Sequence, residues 1–192
     1  MKQLVLTIML IWLSGCSSRQ QAPLKVYTLN VQSDVTVSHS KYRQKTIKVS
    51  YPQSLKSKIS EKMYYSYSST EEGAYQNSQW SNNIGKLLQG AFIESIEQSK
   101  LFKAVLPYTS TAGDDYRLES TIFAFSHQVR GKESHALVSI QFALIDTDTG
   151  RLIKTKRFSY RIPTKTTNAK GYVEAINIAI SRLGKDLIQW LH

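Results

Sequence analysis

The chain has one cysteine, few acidic residues and no apolar run long enough to cross a bilayer. The lone Cys16 excludes disulfides within the chain. The apolar run over residues 4–13 falls well short of the roughly 20 residues that a membrane-spanning helix needs. With 14 acidic against 25 basic side chains the formal net charge is +11, which bears on partners and solubility rather than on fold.

Motifs that would indicate catalysis or a bound cofactor are missing as well. There is no glycine-rich phosphate loop, no HExxH and no paired CxxC. His127 and His135 flank Gly131 and each follows a serine, but adjacent residues on a strand point to opposite faces. We therefore expect solvated hairpin histidines, no enzyme activity, no metal site and no cofactor. Two pairs of loop carboxylates are also expected to be solvated: Asp114-Asp115 and Glu71-Glu72.

The first fifteen residues have the pattern of an export signal. Lys2 supplies a positive charge, an apolar run follows, and small residues precede Cys16. Leu13-Ser14-Gly15-Cys16 resembles the lipobox of bacterial lipoproteins, where cleavage leaves a diacylated cysteine as the new N-terminus. The alternative is an ordinary signal peptide with a chance cysteine. We predict lipidation at Cys16, with a signal peptide at 1–15, a lipidated tether at 16–23 and a single domain at 24–192.

Export would decide which surfaces this basic domain meets. Cleavage after residue 15 would remove only one basic side chain, Lys2, and no acidic one. The expected partners are anionic lipid headgroups or an acidic protein surface, and not nucleic acid. Ser17 stands where an aspartate would otherwise favour retention at the inner membrane. By resemblance to other lipoproteins, we expect anchoring to the outer membrane with the domain facing the periplasm.

Hydrophobic periodicity predicts an α+β domain with two main helices on a mostly antiparallel sheet. The helices are expected at 79–99 and at 168–191. Ser81 is expected to cap the first helix, and Trp80 just before it to staple the first turn. The polar stretch 68–78 is expected to be a loop. Strands are expected at 26–29, 46–51, 59–67, 101–106, 116–129, 136–145 and 152–162. Glycine-containing turns join the last three strands, which predicts an antiparallel meander.

Positive charge is concentrated in two stretches, 41–62 and 151–170. Within the second, Arg157 and Arg161 would share one face of a strand, opposite Phe158 and Tyr160. Such a face is either a solvated surface or a docking patch for phosphate-bearing lipid or an acidic partner. Arg157 and Arg161 are the candidate docking residues.

Several short motifs occur in an order shared with a known family. They are the lipobox cysteine, Tyr27-Thr28-Leu29, Ile47-x-Val49-x-Tyr51-Pro52, Trp80 with Leu87 and Leu88, and Tyr116-Arg117-Leu118 with Ile122 and Phe125. In this order the chain, from Leu24 to Trp190, resembles the auxiliary lipoproteins of ABC-type transport systems, which accompany MCE-domain proteins in bacterial lipid trafficking. The resemblance implies an accessory that binds or positions the MCE-domain protein and the ABC permease/ATPase complex. It also implies contact with phospholipid in transit.

Two other classes stay open. The first is an outer-membrane assembly lipoprotein of the lipopolysaccharide-transport type, which would co-purify with a β-barrel. The second is a secreted hydrolase, which would need a buried, activated nucleophile that the sequence does not offer.

Overall fold

The structure is a computed structural model that describes residues 22–32, 35–54 and 59–192. The predicted export signal and Cys16 lie outside the described residues. In the three described ranges, no helix is both long and apolar enough to cross a membrane.

Nine strands and two helices make up the described fold. The strands are β1 Lys25–Tyr27, β2 Thr46–Val49, β3 Gln53–Ser54, β4 Lys62–Ser66, β5 Glu72–Trp80, β6 Ala104–Pro107, β7 Tyr116–Arg130, β8 Glu133–Asp146 and β9 Leu152–Pro163. The helices are α1 Ile84–Ser99 and α2 Ala169–Leu191.

The long strand β7 organises the sheet. On one side it pairs antiparallel with β8, which pairs antiparallel with β9, so the predicted meander is confirmed. On its other side β7 pairs in parallel with β2, β3 and β4 along successive parts of its length. Beyond these lie β6 next to β2, and β5 followed by β1 next to β4. The α+β class with two helices on the sheet is confirmed, and the sheet is mixed.

Both helices pack on one face of the sheet because alternate strand residues are apolar. In β8 the buried residues alternate with half-buried ones from Ser134 to Leu144. Phe142 of this set contacts Phe92 of α1, with ring centroids 5.0 Å apart. From β9, Phe158 contacts Trp190 of α2. These aromatic contacts join the sheet and both helices into one apolar core.

The two helices approach each other closely at a pair of small residues. The apolar face of α1 is interrupted by Ser95, which is buried and donates its hydroxyl to the carbonyl of Ala91 at 2.8 Å. A Cβ on Gly184 of α2 would lie 2.8 Å from the Ser95 oxygen. Ser95 and Gly184 therefore allow the close helix crossing that larger residues would prevent.

The chain between β1 and β2 passes over α2. The amides of Asn30 and Gln32 donate to Asn177 and Ser181, both at 3.1 Å. Further along, His192 at the end of α2 bonds to the carbonyl of His39 at 3.0 Å. These contacts fix where the N-terminal part of the described chain lies relative to the helices.

The predicted loop at 68–78 and the predicted start of the first helix are both wrong. Most of the expected loop at 68–78 belongs to β5, whose polar residues form a strand by pairing with β4 and β1 on either side. The first helix begins at Ile84 and not at residue 79, so Trp80 ends β5 and does not staple the helix. Asn83, and not Ser81, is the cap, since its side chain accepts the Gly85 amide at 2.9 Å.

Candidate functional sites

His127 is fully buried, which contradicts the expectation of a solvated hairpin residue. Its ring stacks on Tyr172 of α2, with centroids 5.1 Å apart and planes 9° from parallel. Its Nδ1 lies 2.6 Å from the hydroxyl of Tyr75 in β5. Among the described residues, its Nε2 has no hydrogen-bond partner. Burial, with a smaller contribution from the charge of His135, lowers the pKa of His127 to about 4, so the ring is neutral at neutral pH.

The position of His127 follows from a change of phase in β7. Leu118, Ser120 and Ile122 are buried, and an irregularity in the pairing with β8 lies between Ile122 and Ala124. After it the buried face continues at Phe125, and this alternation places His127 inside. The sequence signal was therefore the apolar pair Phe125 and Val129 on either side of His127 in period-two spacing.

The structure does not assemble a serine–histidine catalytic pair at this hairpin. His127 lies opposite Ala136 and His135 lies opposite Gln128, so the two histidines belong to opposite faces of the sheet. The hydroxyl of Ser134 is bonded to that of Thr164. His135 is half-buried, and its Nδ1 lies 3.4 Å from the guanidinium of Arg161.

The neighbouring carboxylates Asp114 and Asp115 are structural ion-pair partners and not solvated loop residues. Lys48 of β2 lies 2.7 Å from the buried carboxylate of Asp114. Lys45 and the amide of Thr46 donate to Asp115 at 2.8 and 2.7 Å, and these bonds hold the pKa of Asp115 below its ordinary value. The pairs fasten the loop before β7 to β2. Glu71 and Glu72 are exposed, as expected.

Arg157 and Arg161 lie on the face of the sheet opposite the helices, as the strand pattern predicted. The Arg157 guanidinium carbon lies 3.4 Å from the centre of the Phe123 ring, and its nitrogen donates to Gln141 at 3.3 Å. On the helix side, Tyr160 donates to Asp186 of α2 at 2.5 Å. The stacked guanidinium is held in place while remaining exposed. Nothing in these contacts tests docking, which stays a prediction.

A second candidate site, which sequence reasoning missed, is an open groove at the edge of the sheet where β1, β4 and β5 meet the start of α2. Its volume is about 460 Å³. Two ammonium groups and four tyrosines line much of it: Lys25, Lys170, Tyr27, Tyr65, Tyr67 and Tyr75. The rings of Tyr67 and Tyr75 each lie 5.1 Å from that of Tyr65. The groove therefore combines positive charge, hydroxyl groups and aromatic surface.

Comparison with known proteins identifies the family. A model of the ABC-type transport auxiliary lipoprotein component matches residues 27–187. The fold is similar to the crystal structure of protein XCC0632 from Xanthomonas campestris, with a TM-score of 0.77, 17% identity, and 86% of this chain and 94% of that chain covered.

A further crystal structure, of an uncharacterized protein, is similar with a TM-score of 0.66 and 12% identity, covering 89% of this chain and all of that one. At such identities the likeness shows the fold alone. No curated protein matches the chain. Because the family model spans most of the sequence, the chain belongs to the ABC-type transport auxiliary lipoprotein family.

Proposed function

We propose that this protein is a lipid-anchored accessory component of an ABC/MCE-type lipid transport system. It is tethered to the outer membrane through Cys16 and faces the periplasm. The observation that carries the proposal is the family match across residues 27–187. The side chain of His127 is buried in the core, and those of Asp114 and Asp115 form ion pairs within the fold. These structural roles support a binding function and not a catalytic one.

The docking surface of this proposal is the helix-free face that carries Arg157 and Arg161. Stacking on Phe123 holds the Arg157 guanidinium in one orientation, so less conformational entropy is lost when it binds a carboxylate. Ser159 lies between the two arginines, and its hydroxyl is 2.8 Å from that of Ser139 on β8. The surface is therefore a polar and positively charged area that suits an acidic patch on an MCE-domain protein.

Photocrosslinking in intact cells tests this surface. A photoreactive amino acid at Ser159 should capture an MCE-domain protein or a permease of the transport system. Capture of an outer-membrane β-barrel instead would favour the lipopolysaccharide-assembly class. If other surface positions capture a partner reproducibly and Ser159 captures none, the helix-free face is not the docking surface.

Substitution of the two arginines tests the same surface by measuring partner affinity. Changing both to Gln should weaken partner binding by up to about 2 kcal/mol, or roughly thirtyfold, since an exposed charge pair contributes at most about 1 kcal/mol. The effect should shrink at high salt. The control removes two exposed lysines on the helices, Lys86 and Lys185, and should leave binding unchanged. Equal affinities for the two double variants would show that the face is only solvated.

The anchor has its own test. Intact mass of the mature protein should show an acylated N-terminal Cys16, and Cys16→Ser should abolish both acylation and cleavage at this site. Density fractionation should place the acylated protein with the outer membrane. An unmodified Cys16 contradicts the anchor, and recovery with the inner membrane contradicts the sorting.

A further inference from the structure

The strand order separates the tether from the arginine pair. In the half of the sheet that contains β4, the order is β1, β5, β4, β7, β8, β9. Five strand spacings therefore lie between β1, where the chain enters the fold, and β9, which carries Arg157 and Arg161. At about 4.8 Å per spacing, the two edges are about 24 Å apart along the sheet. A surface that contacts the anchoring membrane through β1 would leave the arginines free for a partner.

The β1 edge has the composition of a membrane-interface surface. Leu24, just before β1, and Val26 within it are 53% and 56% exposed. Tyr67, at the rim of the adjacent groove, is 48% exposed. Lys25 lies between Leu24 and Val26 in the sequence, so its side chain points to the opposite face of the strand, where it lines the groove. Apolar side chains beside tyrosine and lysine are typical of proteins that lie at the headgroup level of a bilayer.

The tether brings this edge within reach of the membrane. Eight residues lie between Cys16 and Lys25 in the sequence, and a fully extended chain over these nine residue steps spans at most about 32 Å. Since Lys25 lines the groove, the groove lies close to the point where the tether joins the fold. This step rests on the proposed lipid anchor at Cys16.

We propose that the groove between β1, β4, β5 and the start of α2 binds the headgroup of an anionic phospholipid from the anchoring membrane. Lys25 and Lys170 pair with the phosphate, while tyrosine side chains such as Tyr67 contact the glycerol region. Leu24 and Val26, on the opposite face of the same edge, then contact the membrane surface. The volume of about 460 Å³ lies within the range of small-molecule sites.

A depth measurement tests the orientation. The mature lipoprotein is reconstituted into phosphatidylcholine vesicles with added phosphatidylglycerol, and a fluorophore is attached at Val26→Cys or, as the control, at Ile153→Cys. Both positions are exposed aliphatics, at 56% and 47%, on opposite edges of the sheet. Lipids with a spin label on the headgroup should quench the Val26 label strongly and the Ile153 label weakly. Equal quenching at the two positions overturns the proposed orientation.

A titration tests the headgroup site. Water-soluble dihexanoyl phosphatidylglycerol should bind the lipoprotein in phosphatidylcholine nanodiscs more tightly than dihexanoyl phosphatidylcholine does. Lys25→Gln and Lys170→Gln should each weaken phosphatidylglycerol binding about fivefold, and both together about 30-fold. The Lys86→Gln/Lys185→Gln variant should bind like the wild type. If the two double variants bind equally, or if both lipids bind equally, the groove is not a headgroup site.

The two proposals fail in different ways. An unacylated mature chain, seen by intact mass, contradicts the anchor alone, and titrating that chain with the same soluble lipids still tests the groove. Acylated protein that shows no preference for phosphatidylglycerol contradicts the groove alone. The circular dichroism spectrum of each variant should match that of the wild type, because the substituted lysines are exposed.

Discussion

The burial of His127 predicts a loss of stability on mild acidification. Its ring lies between Tyr75 of β5 and Tyr172 of α2, with His135 as the nearby titratable residue of β8. The pKa of His127 is lowered to about 4 in the folded protein, against 6.5 in an exposed histidine. The unfolded chain therefore takes up this proton at a higher pH than the folded chain. It follows that the free energy of unfolding falls as the pH drops from 6.5 towards 4.

The magnitude follows from the two pKa values. Over the whole window the difference corresponds to about 3 kcal/mol, and between pH 7 and pH 5 to about 2 kcal/mol. This is a large share of the stability of an ordinary domain. Most carboxylates are still ionised at pH 5, so His127 should dominate the change in that range.

Urea unfolding followed by tryptophan fluorescence measures the effect, because Trp80 is buried in the core. The change between pH 7 and pH 5 should be about 2 kcal/mol smaller in His127→Phe, which keeps a flat ring against Tyr172 and cannot titrate. The half-buried His135 provides the control, and His135→Gln should keep most of the pH dependence. Equal losses in the wild type and in His127→Phe would refute the account of a neutral, buried histidine.

Three further predictions concern two tightly packed glycines and one buried ion pair. In α1, Gly85→Ala should lower the free energy of unfolding by about 1–3 kcal/mol, because its Cβ would lie 2.5 Å from the Tyr51 hydroxyl. The control is Gly90→Ala, whose Cβ would meet no other atom and which should stabilise the exposed helix position by up to about 1 kcal/mol. Urea unfolding measures both changes. At the helix crossing, Gly184→Ala should lower the free energy of unfolding by a similar amount, and by less in a Ser95→Ala background. If the effects of the two substitutions are additive in this double-mutant cycle, the two residues do not approach each other closely. Asp114→Asn should cost about 1–3 kcal/mol because the buried carboxylate charge that pairs with Lys48 is lost. The exposed Glu119→Gln should change the unfolding free energy by less than about 0.5 kcal/mol.

The sequence predicted those parts of the fold that depend on neighbours along the chain. The β7–β8–β9 meander was visible because β8 alternates clearly and short turns around Gly131 and Gly150 join the three strands. The second helix was predicted nearly to the residue, since its apolar stripe has helical period over its whole length. The shared face of Arg157 and Arg161 followed from the same alternation in β9.

Tertiary structure alone decided the elements and sites whose partners are distant in sequence. The polar β5 is a strand only because β4 and β1 supply hydrogen bonds on both of its sides, which no local pattern reports. His127 is buried because α2, more than forty residues later, brings Tyr172 over its ring. The groove joins Lys25 to Lys170 across nearly the whole described chain. Local sequence specifies which face of an element is apolar, whereas the element that covers this face, and the side chains that meet at an edge, depend on long-range packing.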